Sequence, residues 1–141
     1  MSARLIYGDE DRLLPWAQER TATRFRRDAY TLGLEKDEAL VAVVVFDGFS
    51  ECDCNMHIAS DGTRQWMNKS LLLAAFAYPF TQLGLQRVTG LVPSKNEAAL
   101  AFDQHIGFEI EGRCRNALPD DDLIVLGLLR ENCRFIPQEG R

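Results

Sequence analysis

Asp53, Asn55 and His57 alternate through ECDCNMHIAS, residues 51–60, with Cys52, Cys54, Met56 and Ile58 between them. A period of two is that of a half-buried strand, and it places the carboxylate and the imidazole on one face. Such groups can take a proton from an attacking amine or hydroxyl, directly or through a water. Asp53 and His57 are therefore the candidate catalytic residues. Polar alternation of this kind also occurs on plain solvated strands, so the surrounding elements must decide its meaning.

Those elements follow from pattern. Residues 9–27 carry a weak helical pattern containing Pro15. ALVAVVVF, residues 39–46, is a β-branched apolar run that ends on Asp47-Gly48, a turn signal. The strand with Asp53 and His57 returns from it. A long helix is predicted from Arg64 to Leu83, with Trp66, Met67, Leu71, Ala74, Ala75 and Tyr78 at helical spacing. Asp61 or Thr63 is the expected cap, Gly84 the stop, and Pro79 should kink its last turns. Arg87 to Val92 reads as a strand closed by Pro93. Ser94 to Glu97 has the S-x-x-E form of a capping box, so Ser94 is the expected cap of a helix ending at Gly107. A hairpin of Phe108–Asn116 and Leu123–Leu129 completes the chain, with Asp120 to Asp122 as its solvated tip. The order predicts an α/β fold, a mixed sheet flanked by helices, in one domain over residues 1–141.

The totals narrow the function. A net charge of −5 argues against nucleic-acid binding, which needs a basic surface. Arg20, Arg24, Arg26 and Arg27 form one local exception, read first as a solvated surface and second as a dock for phosphates or an acidic partner. MSARLIYG is not a signal peptide, and LLLAAFAYPF is too short to span a bilayer, so a cytoplasmic protein with no membrane partner is expected. The four cysteines, Cys52, Cys54, Cys114 and Cys133, follow no zinc spacing and read first as buried free thiols, with a metal site a poor second, so no metal is expected.

One set of residues carries a family likeness. Asn96, Ala98-Ala99, His105-Ile106-Gly107-Phe108, Glu111-Gly112 and Arg115 resemble the end of GNAT-superfamily N-acetyltransferases. The nearest branch is similar to the one acetylating ribosomal-protein N-termini. Tyr78-Pro79-Phe80 and Leu83-Gly84-Leu85-Gln86-Arg87-Val88 are similar to its helix end and strand entry. The Asp120–Asp122 hairpin and the ending 129–134 resemble short phage-encoded members. The likeness implies acetyl-CoA as co-substrate and a primary amine, of a protein for instance, as acceptor and direct attacker. It implies that acyl-CoA lies where two strands splay apart, with the amides of Met56, His57 and Ile58 along the pantetheine arm. Pyrophosphate would rest on Arg64, Gln65, Trp66, Met67, Asn68 and Lys69 at the start of the long helix, where amides and dipole favour anions. Asn96 would bond the cofactor, and Phe102 would stand either in the core or against the arm.

The chain departs from the family in three places. The phosphate loop, (Q/R)-x-x-G-x-G/A, aligns with residues 63–68 and has neither glycine. A left-handed conformation there costs on the order of 1–3 kcal/mol per residue. Arg64 and Lys69 are side-chain compensation, and Asp61-Gly62 is a shifted loop. Asp103 stands where the family often has a tyrosine acid, and Ala99 where it sometimes has a serine. A second function therefore stays open: a non-catalytic GNAT-fold module that binds a protein partner. Monomer and homodimer both remain open.

Overall fold

The protein is described by a computed structural model covering residues 3–21, 23–63 and 68–138. Residues 39–47 are buried almost throughout, the pattern of a strand covered on both faces. Val43 and Val45 pack with Leu13, Ala17 and Ala59 on one side, while Val44 and Phe46 join Met56, Leu71, Phe76 and Phe80 on the other. This strand, β3 (Ala39–Asp47), thus separates two layers of helix.

Around it the chain runs β1 (Ala3–Tyr7), α1 (Glu10–Thr21), β2 (Tyr30–Lys36), β3, β4 (Asn55–Ser60), α2 (Lys69–Phe76), β5 (Arg87–Pro93), α3 (Glu97–His105), β6 (Glu109–Leu118) and β7 (Asp121–Leu129). The sheet order is β1-β2-β3-β4-β5-β7-β6. Every neighbouring pair is antiparallel except β4 with β5. The α/β mixed sheet expected from the sequence is present.

Several expectations shift. β1 and β2 were not anticipated: MSARLIYG and YTLGLEK are short, and Gly33 interrupts the second. Gly33 is there because α1 lies against it; a Cβ would stand 3.0 Å from a Leu13 methyl. The first helix stops at Thr21, so Arg24, Arg26 and Arg27 lie in a connecting segment. The long helix begins at Lys69 with Asn68 as its cap, in place of Asp61 or Thr63. After Phe76 it widens into a π-helical segment, Ala77–Gln82. Pro79 brings no N–H to that segment, and the wider Leu83 N to Tyr78 O bond of 3.1 Å follows it. The cap of α3 is Asn96, whose side chain accepts from Ala99 N. Ser94 instead donates its hydroxyl to Asp121. Asp121 and Asp122 belong to β7 and are engaged, Asp121 by Ser94 and Lys95 N and Asp122 by Arg113 and Asn116 N, so the solvated tip is smaller than expected.

Candidate functional site: a cleft between two parting strands

The parallel pair is brief. β4 and β5 share one ladder position, Asn55 with Thr89, anchored by Thr89 N on Cys54 O at 2.9 Å. Beyond it the strands diverge, and their facing edges run on with no ladder between them. A cleft of about 680 Å³ fills the space. One wall is residues 56–60 of β4; the other is Leu91, Val92 and Pro93 of β5 with Asn96, Ala99, Phe102 and Asp103 of α3. Arg20 and Thr21 of α1, and Phe25 after it, close one side. Arg20, expected on a solvated surface, thus lines the cleft while its guanidinium lies 3.8 Å over the Trp16 ring.

His57 enters this cleft, and a second residue holds it. Its Nε2 lies 3.0 Å from Asp47 Oδ1, and its ring packs 5.1 Å from Phe25. Asp47 is 3% exposed and also accepts from Arg26 N at 2.9 Å. Burial raises its carboxyl, but hydrogen bonds from His57 and from the Arg26 backbone outweigh that, and the pKa lies below the usual Asp value. An ionised Asp47 accepts Nε2–H, which fixes the tautomer and leaves Nδ1 with the lone pair. The arrangement is a carboxylate-oriented imidazole, able to accept a proton at the cleft. Asp47 was legible in the sequence only as half of a turn; its partner two strands' length away could not be read from local pattern.

Asp53 stands elsewhere. β4 starts at Asn55, so Asp53 precedes the strand and does not share its alternation. Its carboxylate accepts from Thr89 Oγ1 at 2.9 Å and lies 3.6 Å from Arg87 Nε, while Arg87 reaches Glu111 at 2.7 Å. These residues bind β4's approach, β5 and β6 together below the split, outside the residues lining the cleft.

The expected cofactor residues divide into three groups. Met56, His57, Ile58, Asn96 and Phe102 line the cleft together. Asn68 caps α2 through Leu71 N at 3.1 Å, with φ −94° and not the left-handed conformation considered for it; Lys69 is the first helical residue. Arg64, Gln65, Trp66 and Met67 lie outside the described residues. Gly62, at φ +91°, borders the cleft beside Thr63, but its N–H donates to Ser60 Oγ at 3.2 Å and Thr63 N–H to Asp61 Oδ1 at 2.9 Å, so the shifted loop considered at Asp61-Gly62 has both of these amides engaged. Asn96 Oδ1 is used by its own helix at 3.2 Å, leaving the amide nitrogen for a ligand. The apolar walls fit a thioester on a narrow arm, and the parted strand edges offer backbone groups along it.

The cysteines are free; Cys54 and Cys133 are buried, Cys52 is half-buried and Cys114 is exposed, so burial holds for only part of the set. Burial pushes the Cys54 thiol up to about 12. Among the described residues no group of three His, Cys, Asp or Glu could hold a metal, and no helix is long and apolar enough to cross a membrane.

No family model matches the sequence, and no curated protein matches it. Solved structures do match. The dodecameric spermidine N-acetyltransferase from Vibrio cholerae in an intermediate state superposes with TM-score 0.75 at 14% identity, over 92% of this chain and 94% of that one. A chimera of the Vibrio cholerae SpeG enzyme and hSSAT gives 0.74 at 15% identity, over 93% and 98%. A manganese complex of the Vibrio cholerae spermidine/spermine enzyme gives 0.73 at 14% identity, over 92% and 93%. The fold is that of the GNAT N-acetyltransferases. At these identities the likeness assigns the fold and no more.

Proposed function

We propose that the protein is an N-acetyltransferase that moves an acetyl group from acetyl-CoA to a primary amine by direct attack. The observation that carries this reading is the parting of β4 and β5 after one shared position, with the Asp47-held His57 in the opening. Acetyl-CoA, when bound, supplies the activated carbonyl. Backbone groups of Met56 and Ile58 and the amide nitrogen of Asn96 hold and orient the arm, converting the encounter into a unimolecular step. His57 Nδ1 takes the proton of the attacking amine, while Asp47 stabilises the resulting imidazolium. Lys69 and the start of α2 receive the phosphates.

The net charge of −5 favours a cationic acceptor. Spermidine is the first probe, since the structural neighbours bear its name, and a basic protein amine is the second. Titration calorimetry with acetyl-CoA, beside dephospho-CoA, tests the reading. Micromolar binding and acetylation of either amine support it. No binding at millimolar concentration on folded protein overturns it and favours the second reading, a GNAT-fold module with a degenerate phosphate loop that binds a protein.

A further inference from the structure

Arg26 and Arg27 are exposed in the connection between α1 and β2. With Asp28, Gly48, Phe49 and Asn55 they line an open depression of about 550 Å³. It adjoins the cleft at two places. Phe25 lines the cleft and Arg26 the depression, and Met56 and Asn55 stand in the same relation on β4. Asn55 is also the ladder position that joins β4 to β5, so the depression opens at the closed end of the split. Asp47 ties the two sites together, accepting His57 Nε2 at 3.0 Å and Arg26 N at 2.9 Å. The carboxylate in the lining, Asp28, is engaged by backbone, accepting from Gly48 N at 3.0 Å and Phe49 N at 2.8 Å. Gly48 keeps the floor open, since a Cβ there would stand 2.7 Å from Asn55 Nδ2. Among the described residues neither the Arg26 nor the Arg27 guanidinium makes a hydrogen bond or an ion pair, whereas Arg4, Arg12, Arg87 and Arg113 each hold a carboxylate.

An acyl-CoA arm that fills the cleft from its wide end leaves the acceptor the opening at the closed end. We infer that the acceptor is an amine that also carries a carboxylate, held by Arg26 and Arg27 while its nitrogen faces His57. The inference rests on the acetyltransferase reading. Asn55 and His57 share one face of β4 and lie two residues, about 7 Å, apart along it, which sets the spacing between the two groups of the acceptor. A guanidinium fork takes a planar carboxylate through two parallel bonds, and here no carboxylate of the chain competes for it. The Phe49 ring offers an apolar side to the methylenes between them. The net charge of −5 acts on approach, where salt screens it beyond about 8 to 10 Å, while the arginine pair acts on contact. A zwitterionic amino acid with its amine far from its carboxylate satisfies both, and a polyamine only the first.

The experiment is steady-state acetylation by acetyl-CoA of 6-aminohexanoate, of its amide 6-aminohexanamide and of spermidine, with the full chain. The acid and the amide differ only in the anionic group. The acid's kcat/KM is expected to exceed the amide's by about 10- to 100-fold, the worth of charge-assisted hydrogen bonds to one carboxylate. The double variant Arg26→Gln, Arg27→Gln should bring that ratio close to one. Arg24→Gln removes a like charge from the same segment outside both linings and should keep the ratio, which separates contact from the general field. Equal use of acid and amide, a preference for spermidine over the acid, or a ratio that survives the double variant overturns this inference and spares the acetyltransferase reading. A ratio lost equally in Arg24→Gln overturns it in the same way. A parent that acetylates none of the three amines nor a lysine-rich peptide overturns both. Should the double variant fail to fold, the single variants Arg26→Gln and Arg27→Gln are read by the same ratio.

Discussion

At the scale of single residues, chemistry depends on pairs that the sequence separates. The strand alternation exposed His57 as a candidate, but it offered Asp53 as an equal. Only the fold separates them, because Asp53 is drawn into the Thr89 and Arg87 contacts while His57 faces Asp47 across β3 and β4. His57→Gln is expected to lower kcat by about 100-fold or more with acetyl-CoA affinity unchanged, as kinetics and calorimetry together would register. Asp47→Asn should lower kcat and also destabilise, by about 1–3 kcal/mol, since Arg26 N and His57 lose a charged acceptor in a buried place. Because the Asp47 pKa is depressed in the fold, that contribution is present above the ordinary carboxylate pKa. It is lost as pH falls through the folded value, so urea midpoints of parent and variant should converge in acid. Asp103 has the opposite sign. Its pKa is raised, so ionising it opposes folding, and Asp103→Asn should raise the thermal midpoint at pH 8 while changing it little at pH 4.

At the scale of elements, the sequence located the α3–β6 corner well and misjudged its fastenings. Gly107 at φ +119° turns the chain from α3 into β6, the conformation that made a glycine legible there. The S-x-x-E pattern pointed to Ser94 as the cap, yet the residue adopting that role is Asn96, two positions on. Local pattern could not reveal why: Asp121, on β7, takes the Ser94 hydroxyl and the Lys95 amide, which holds both residues in the loop and leaves the cap to Asn96. The start of α2 shows the same limit, because Asn68 caps it in an ordinary extended conformation and the helix begins at Lys69, five residues after the expected Arg64. On the proposed function Asn96 has two duties, one per side-chain atom: Oδ1 caps α3, and the amide nitrogen is offered to the ligand. Asn96→Ala should cost about 1 kcal/mol of stability from the lost cap and weaken acetyl-CoA binding as well. Asn96→Asp keeps the capping oxygen and removes the amide nitrogen. In paired denaturation and calorimetry it should retain stability yet lose affinity, and equal affinity for Asn96→Asp and the parent would remove Asn96 from the ligand contacts.

At the scale of the whole molecule, β4 and β5 must stay joined at one end and apart at the other. Helix and strand order made the mixed sheet legible, although β1 escaped because five residues leave little periodicity and β2 because Gly33 interrupts its pattern. The splitting point itself had no local signature; it is set by β5 pairing with β7 along seven positions while meeting β4 at one. What holds the closed end is the run from Asp53 through Thr89 and Arg87 to Glu111, which crosses three segments of chain. This placement separates a structural from a catalytic Asp53. Asp53 is about one-third exposed at its side chain, so Asp53→Asn should cost no more than about 1 kcal/mol. The ligand effect should survive it. A ligand at 100 times its dissociation constant adds about 2.7 kcal/mol, which for a chain of this size is a rise in thermal midpoint of roughly 8 °C. Asp53→Asn is thus expected to melt slightly lower than the parent, to show the same rise with acetyl-CoA, and to acetylate spermidine at a comparable rate. A kcat loss matching that of His57→Gln, with the rise intact, would return the base to Asp53 and leave His57 as a wall of the cleft.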